Sequence, residues 1–371
     1  MINIESVNEK LQEVTYPGFA KSIVDFGFVK NVDVKDTAVT VEIEISSSAP
    51  EVKSQLQDEI TKKLQLLKAS SINVDIKTPA MPKETSSQGK NIVPHVKNFV
   101  MVSSGKGGVG KSTTTTNIAI ALAMQGKKVG LLDADIYGPN IPRMMGIEGQ
   151  QPEIVGNKVK PFLTHGVEVM SMGSLMEEGQ SLIWRGAMIM KAIQQLLQDI
   201  LWSELDVLVI DMPPGTGDAQ LTLAQSVPVT AGICVTTPQQ VALDDTERSL
   251  DMFKKLNIPI AGIVENMSGF ICPETNKEYD IFGKGTTSPL AEKFETVVLS
   301  EIPIEPAIRE GGDGGKPIVF HAPESESAKR YMDAAEKLWD TIEKINEDGG
   351  VDNDAIQPTT PPGVSACSTG N

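Results

Sequence analysis

The stretch that decides the fold of this 371-residue chain reads Gly105-Lys106-Gly107-Gly108-Val109-Gly110-Lys111-Ser112. It matches the pattern G-x-x-x-x-G-K-[ST], in which the glycines let successive backbone N–H groups point at phosphate oxygens. Residues 98–103 before the loop are mostly apolar, as a buried strand requires, and residues 113–124 after it have helical character. A helix that begins at the loop adds the positive end of its dipole. The sequence therefore predicts a nucleoside triphosphate site.

Individual side chains of the loop have predicted roles in holding ATP and Mg²⁺. Lys111 should contact the β- and γ-phosphates, and Ser112 should provide a hydroxyl ligand to the metal ion. Mg²⁺ bridges the same phosphates, so it offsets charge that the loop alone would have to neutralise. Thr113, the first residue after the pattern, completes the predicted ATP-binding segment.

Apolar runs alternate with helical segments from residue 97 onward. This order is typical of βαβ units, so we expect an α/β fold, with a mostly parallel sheet flanked by helices. The predicted strands cover residues 99–102, 128–132, 207–210, 231–235, 260–264 and 295–302. Because ligands of such sheets bind at the carboxyl ends of the strands, polar residues that follow the strands should converge on one nucleotide.

Composition divides the chain into four parts. Residues 1–78 contain two segments of helical spacing and two of period-two alternation, which predicts a small α+β domain. Residues 79–96 are rich in proline, serine and glycine and are interpreted as a linker. Residues 97–346 form the predicted ATPase domain. Residues 347–371 form a tail that we expect to be flexible, since it is rich in proline, threonine and glycine.

Charge and hydropathy exclude several classes of protein. The net charge of −16 argues against nucleic-acid binding, because nonspecific binding of a phosphate backbone depends on lysine and arginine. No apolar stretch approaches the roughly 20 residues that span a bilayer, and the first residues lack a signal-peptide pattern. We therefore expect a cytoplasmic protein that binds neither nucleic acid nor membrane. Three cysteines in a reducing compartment argue against a disulfide framework.

Lys106 stands at a position that the general loop pattern leaves free. The form G-K-G-G-x-G-K-S resembles the deviant Walker A loop of the SIMIBI ATPases, the group that holds MinD, ParA and the nitrogenase iron protein. The resemblance implies a homodimer with ATP at its interface. It also implies that Lys106 of one protomer stabilises transition-state charge on the phosphates held by the other.

Four further residues take roles from the same resemblance. Asp133 and Asp135 follow a predicted strand at the switch I position, where carboxylates hold the water ligands of Mg²⁺ and orient the attacking water. Water positioning is assigned to Asp135. Asp211, after residues 207–210, corresponds to the Walker B carboxylate. Asn266 matches the position at which this group reads the purine ring with an amide.

The branch within the group follows from residues 133–140 (DADIYGPN), 211–218 (DMPPGTGD) and 265–270 (ENMSGF). These motifs resemble the Mrp/ApbC family of iron-sulfur cluster carriers, and the resemblance extends from residue 97 to about 339. Residues 16–29 and 46–50 resemble the MIP18-type domain (DUF59) of iron-sulfur assembly proteins. The resemblance implies that the chain holds a four-iron cluster between two protomers, passes it to apoproteins, and uses ATP to tune the dimer.

The cluster motif of this family departs from its usual form in this chain. Members carry C-P-x-C, which gives the four thiolates of a four-iron cluster from two protomers, whereas residues 272–275 read CPET. Three ligand sets stay open. Two copies of Cys272 could bind the cluster with Glu274 or an exogenous thiol, or Cys367 of the tail could restore four thiolates. In the third, no cluster is bound.

Two classes of function therefore remain at the level of sequence. The first is an iron-sulfur carrier with ATPase activity. The second is a ParA- or MinD-like ATPase that dimerises with nucleotide and holds no cluster. A metabolic kinase is a weaker third reading, because no base for substrate phosphorylation stands out. The acidic terminal helix favours the carrier, since a MinD-like protein should end in a basic membrane anchor.

Overall fold

The computed structural model describes residues 2–17, 21–35, 37–45, 50–67, 69–78, 91–135, 138–156, 158–175, 186–215, 217–272, 274–275 and 277–351. Two larger sheets organise these residues, one of three strands near the amino terminus and one of nine strands after residue 98. Strands and helices alternate along the second sheet, and most of its strands are parallel. The predicted α/β fold with a mostly parallel sheet is confirmed.

The smaller unit packs two helices against its sheet. Its elements are α1 Ile4–Gln12, β1 Val29–Lys35, β2 Ala38–Glu44, α2 Pro50–Gln65 and β3 Ser71–Lys77. β2 lies in the centre, antiparallel to β1 and parallel to β3. Alternate residues of β2 are buried, so this sheet has one apolar face and one face of polar side chains. The sequence did not predict β1.

The larger unit is built on a sheet whose central strands are fully buried. Its strands are β4 Phe99–Ser103, β5 Val129–Asp133, β6 Ile154–Val155, β7 Lys158–Val159, β8 Phe162–Thr164, β9 Val167–Ser171, β10 Val207–Asp211, β11 Val229–Thr236, β12 Ile260–Ile271, β13 Glu278–Tyr279 and β14 Val298–Ile304. The order is β13-β12-β11-β4-β10-β5-β9-β8, with β14 beside β12, while β6 and β7 form a separate pair. Only β8 and β13 run antiparallel to their neighbours among the described strands of this sheet.

Helices cover both faces of the nine-stranded sheet, which explains why its strands are continuous apolar runs. They are α3 Lys111–Met124, α4 Ile141–Met144, α5 Gly186–Asp199, α6 Asp218–Ser226, α7 Gln240–Lys255, α8 Ser288–Lys293, α9 Pro306–Asp313, α10 Ile318–His321 and α11 Glu326–Glu347. The long terminal helix α11 packs on α3 and β14. Within the described part of the chain, no helix combines the length and the apolarity that crossing a bilayer requires.

The longest strand, β12, differs from its prediction. The apolar run ends at Val264, but the strand continues to Ile271 because its second half pairs with β13. Met267 has a φ angle of 58°, and the pairing with β14 shifts between Asn266 and Phe270. This bulge shifts the register, so that the pairing with β14 resumes at Phe270, opposite Ile304.

The two units meet at the carboxyl-terminal end of α3. The ammonium group of Lys21 donates to the carbonyl oxygen of Met124 at 3.3 Å, and Lys128 lies 3.9 Å from the carboxylate of Glu44. A cation near the last carbonyls of a helix is favourable because these carbonyls carry the negative end of its dipole. The smaller unit therefore touches the end of α3 that lies farthest from the glycine-rich loop.

Candidate nucleotide site

The glycine-rich loop connects the end of β4 to the start of α3. Gly108 and Gly110 have φ angles of 80° and 84°, a conformation that side chains with a Cβ rarely adopt. A Cβ at Gly105 would lie 2.2 Å from the backbone of Asp245. These positions therefore require glycine for two different reasons, backbone conformation and close packing.

The loop forms one wall of two adjoining cavities. The first, of about 360 Å³, is lined by Lys106, Lys111, Ser112 and Asp135 together with the glycines of the loop. The second, of about 450 Å³, lies on the side of Asn266 and includes Arg143. Gly110, Thr113, Asn140 and Met144 line both cavities. A phosphate chain fits the first, since the N-terminus of α3 opens onto it, and the second is large enough for a nucleoside.

Lys111 joins the carboxylates that the sequence predicted to converge here. Its ammonium nitrogen lies 2.8 Å from Asp211 Oδ2 and 3.8 Å from Asp135 Oδ2, and the side chain is 6% exposed. Ser112 Oγ also donates to Asp211 Oδ2, at 2.6 Å. The topology explains this convergence, because β4 lies beside β10 and β10 beside β5, so their carboxyl ends are neighbours.

Asp133 is fully buried beside these groups. Ser171 Oγ donates to its Oδ2 at 2.9 Å, and the backbone N–H of Asp135 donates to its Oδ1 at 3.1 Å. Burial, followed by the negative charge of Asp211, raises the pKa of Asp133 to about 8. In this nucleotide-free site Asp133 therefore keeps its proton at neutral pH more readily than an ordinary carboxyl.

The donor set fits a hard divalent cation. The oxygen ligands at the phosphate cavity are the hydroxyl of Ser112 and the carboxylate of Asp135, with Asp211 bonded to Ser112, and Mg²⁺ prefers oxygen ligands. Among the residues that the structure describes, no group of three or more His, Cys, Asp and Glu side chains is arranged to hold a metal ion. Mg²⁺ usually takes one or two protein ligands and fills its shell with water and phosphate oxygens.

Three polar residues of the site were not predicted from sequence. Thr115 Oγ1 donates to Asp211 Oδ1 at 2.7 Å, Ser171 binds Asp133, and Gln220 binds the loop that follows Asp211. Thr115 could have been found from its spacing, since it lies one helical turn after Lys111. Ser171 could not, because the strand β9 that carries it was not predicted.

Asn266 contacts the glycine-rich loop from β12. Its side-chain Nδ2 donates to the carbonyl oxygen of Val109 at 2.9 Å. A Cβ at Gly110 would lie 2.1 Å from the same nitrogen, so glycine is required for this contact. Asn266 is 6% exposed and lines the second cavity. Asn266 therefore links the glycine-rich loop, which lines the first cavity, with the second cavity.

Cys272 follows β12 directly, six residues after Asn266. Its backbone N–H donates to the carbonyl of Lys277 at 3.0 Å, which closes a turn. Hydrogen bonds from the Thr275 hydroxyl, then from the backbone of Thr275 and Glu274, lower the pKa of the Cys272 thiol. Cys234 is fully buried in β11, and burial raises its pKa, while Cys367 lies outside the described residues.

Two protein families match the chain. Residues 95–339 match the ParA family, described as NUBPL iron-transfer P-loop NTPase. Residues 4–76 match a family described as iron-sulfur cluster assembly protein. The first match contains the entire nucleotide site, and the second contains all but the last residue of the three-stranded sheet.

Individual relatives agree with these families. The iron-sulfur cluster carrier protein of Helicobacter pylori is 53% identical over 372 residues, covering 99% of this chain and 100% of the relative. The iron-sulfur cluster transfer protein NUBPL of Mus musculus is 44% identical over 265 residues, covering 71% of this chain and 81% of the relative.

Solved structures share the fold of the larger unit. The nucleotide-binding protein of Archaeoglobus fulgidus, in complex with ADP, has 36% identity and a TM-score of 0.55, covering 63% of this chain and 91% of its own. MinD of Pyrococcus horikoshii, in complex with Mg-ADP, has 23% identity and a TM-score of 0.50, covering 65% and 96%, a likeness in fold alone. The chain, with its phosphate-binding loop and converging aspartates, belongs to the ParA/NUBPL family of iron-transfer P-loop NTPases.

Proposed function

We propose that this chain is an ATP-binding and ATP-hydrolysing iron-sulfur cluster carrier that holds a cluster at a homodimer interface and transfers it to apoproteins. One observation carries the proposal. A single strand, β12, bears Asn266 against the glycine-rich loop and leads directly into Cys272, whose pKa is lowered. Six residues of backbone thus link the nucleotide site to a thiol with a lowered pKa.

The nucleotide is held by the backbone from Gly105 to Thr113. Lys111, now bonded to Asp211, would turn to the β- and γ-phosphates, and Ser112 would bind Mg²⁺ with Asp133 and Asp211 holding its water ligands. The metal ion supplies charge neutralisation between the phosphates. Asp135 lines the same cavity, and its proposed role is to orient the attacking water molecule.

Lys106 and Asn266 complete the predicted ATP site. Lys106 lines the phosphate cavity, and its proposed role is to bring its ammonium group to the phosphates of a second protomer. The amide of Asn266 lines the nucleoside cavity, where it can bond to the edge of a purine ring. The role of Lys106 requires a second protomer, and the role of Asn266 requires a bound nucleotide. Both roles rest on the family pattern.

The cluster is treated as cargo, and Cys272 is its proposed ligand. A thiol with a lowered pKa provides the thiolate that iron requires. Each protomer offers this one thiol within its described residues, because Cys234 is enclosed in the sheet. A four-iron cluster between two protomers therefore needs two further ligands, which we assign to Cys367 of each tail, with Glu274 or an exogenous thiol as the alternative.

The partners of the protein and its cell compartment follow from the same proposal. A cluster carrier requires apoprotein recipients, and a reducing compartment such as the cytoplasm keeps Cys272 available. The net charge of −16 disfavours nucleic acid and anionic lipid as partners. Co-sedimentation with DNA or with anionic liposomes in the presence of ATP should therefore be negative, whereas a ParA- or MinD-like positioning ATPase would sediment.

Anaerobic reconstitution with iron and sulfide tests the proposal. Wild-type protein should bind about four irons per dimer with the visible absorption of a four-iron cluster. Cys272→Ser and Cys367→Ser should each lose the cluster, and Cys234→Ser is the matched control that should keep it. A wild-type dimer without iron would contradict the carrier function. Loss in Cys272→Ser with full retention in Cys367→Ser would contradict only the role of the tail.

A further inference from the structure

Residues 213–215 and 217 form the described part of the loop that follows Asp211. Pro214 lines this cavity together with Lys106, Lys111 and Asp135. Gly215 has a φ angle of 92°, and its backbone N–H donates to the carbonyl of Ser104 at 2.9 Å. The loop is therefore anchored to the end of β4 on one side. Glycine adopts positive and negative φ angles about equally well, so the backbone at Gly215 has several accessible conformations. Which one it takes depends on the hydrogen bonds that other residues make to the loop.

Gln220 binds this loop from the first turn of α6. Its Nε2 donates to the carbonyl of Pro213 at 3.0 Å and to the carbonyl of Gly215 at 2.8 Å. Its Oε1 accepts the backbone N–H of Gly217 at 2.9 Å. The side chain is 1% exposed. One buried amide thus satisfies three backbone groups, those of Pro213, Gly215 and Gly217.

Few side chains can make this arrangement. It requires two donors and one acceptor on a single planar group at the end of a flexible chain, and a primary amide provides them. A carboxylate has the same shape but donates nothing, so it would face two carbonyl oxygens. A buried carbonyl that loses its donor is left desolvated without a partner, which makes the loop conformation sensitive to residue 220.

We propose that Gln220 is a positioning residue for nucleotide hydrolysis. It acts through the backbone of Pro213, Gly215 and Gly217, which it holds next to Pro214 in the wall of the cavity that Lys111 and Asp135 also line. Preorganised backbone around the transferring phosphate lowers the barrier without being required for ground-state binding. Gln220 therefore contributes to turnover and contributes little to nucleotide affinity. The inference rests on the proposed ATPase activity.

The test compares ATP turnover and ADP affinity in full-length variants. Gln220→Glu keeps the acceptor and loses both donors, and Gln220→Met removes all three bonds without adding charge. Gln225→Glu, on the exposed side of the same helix, is the matched control for the charge. We expect kcat to fall by about tenfold or more in both Gln220 variants, while KM and the Kd for ADP change by less than about threefold. Gln225→Glu should match the wild type.

Three results would overturn the inference. The first is wild-type kcat in either folded Gln220 variant, as judged by circular dichroism. The second is a parallel loss of ADP affinity and kcat, because that pattern belongs to general damage of the site. The third is an equal effect of Gln225→Glu. A wild-type protein without ATPase activity would instead contradict the proposed function, so the two failures are distinguishable.

Discussion

The side-chain amide of Asn266 donates a hydrogen bond to the carbonyl oxygen of Val109 at 2.9 Å. This bond joins β12 to the middle of the glycine-rich loop, between two residues that are 157 positions apart in the chain. Because Gly110 has no Cβ, the amide can lie directly against the loop backbone. The conformation of the loop therefore depends on the strand that Cys272 follows directly.

Asn266→Asp should weaken nucleotide binding. The substitution keeps the shape of the side chain, but a carboxylate cannot donate and would face the Val109 carbonyl. We expect a loss of about 1–2 kcal/mol, or roughly tenfold in the Kd for ADP, measured by titration calorimetry.

Asn346→Asp is the control for this substitution. Asn346 donates through the same type of amide to Asn98 Oδ1 at 3.0 Å, beside the amino-terminal end of β4. Loss of this hydrogen bond should change the Kd for ADP by less than about twofold, since the glycine-rich loop lies at the opposite end of β4. Equal weakening in both variants would show that the bond to Val109 has no special role.

Asp133 makes the stability of the nucleotide-free protein depend on pH. Its folded-state pKa is about 8, above the ordinary value of 3.8, so between these values the folded state binds more protons than the unfolded state. Stability is therefore highest below about pH 4 for this group and decreases as the pH rises toward 8. Asp133→Asn should remove this decrease.

Urea denaturation at pH 5.5 and pH 8 measures the effect. We expect Asp133→Asn to be more stable than the wild type at pH 8, by on the order of 1–3 kcal/mol, and to gain less at pH 5.5. An equal stability difference at both values would mean that Asp133 does not titrate in this range.

Cys272 should be the reactive thiol of the described residues. The Thr275 hydroxyl is the main cause of its lowered pKa, whereas burial raises the pKa of Cys234. In a Cys367→Ser background at neutral pH, iodoacetamide should modify Cys272 and leave Cys234 intact. Thr275→Val should slow this reaction several-fold, about as expected for the loss of one hydrogen bond to a thiolate, and Thr275→Ser should restore it.

Mass spectrometry of tryptic peptides follows both cysteines in one experiment. A rate that is unchanged in Thr275→Val across pH 6–9 would exclude the hydroxyl as the cause of the lowered pKa. The same rate profile, repeated with and without ADP, reports whether nucleotide binding reaches the turn after β12.

Met267 carries the backbone strain of the bulge in β12. Its φ angle of 58° is unfavourable for residues with a Cβ and most unfavourable for branched side chains. Met267→Gly should therefore leave the free energy of unfolding within about 1 kcal/mol of the wild type, although a half-buried side chain is lost. Met267→Val should destabilise by about 1–3 kcal/mol, because it is branched at Cβ. Chemical denaturation of both variants provides the comparison.

The sequence predicted the nucleotide-binding half of the molecule well because its signals are local. The loop pattern and the apolar runs before Asp133 and Asp211 each occupy fewer than ten residues, and parallel packing brings their ends together. The predicted roles of Lys106 and Asn266 stay predictions, since they concern a second protomer and a bound nucleotide.

The parts that were missed depend on distant pairing. β9 lies in a region without a clear hydrophobic periodicity. It becomes a strand through its pairing with β5, some 38 residues earlier in the chain. Without it, the contact between Ser171 and Asp133 could not be foreseen. The second half of β12 likewise exists because β13 returns to pair with it. Such contacts have no local signature.

The ion pair between Lys111 and Asp211 determines the order in which ligands can enter. While the ammonium group lies 2.8 Å from this carboxylate, a free divalent ion has to compete with a cation that is already in place. A phosphate chain draws Lys111 away and leaves Asp211 and Asp135 without their cation. We therefore expect nucleotide and Mg²⁺ to arrive as one complex, so that magnesium concentration acts on this protein through the pool of Mg-ATP.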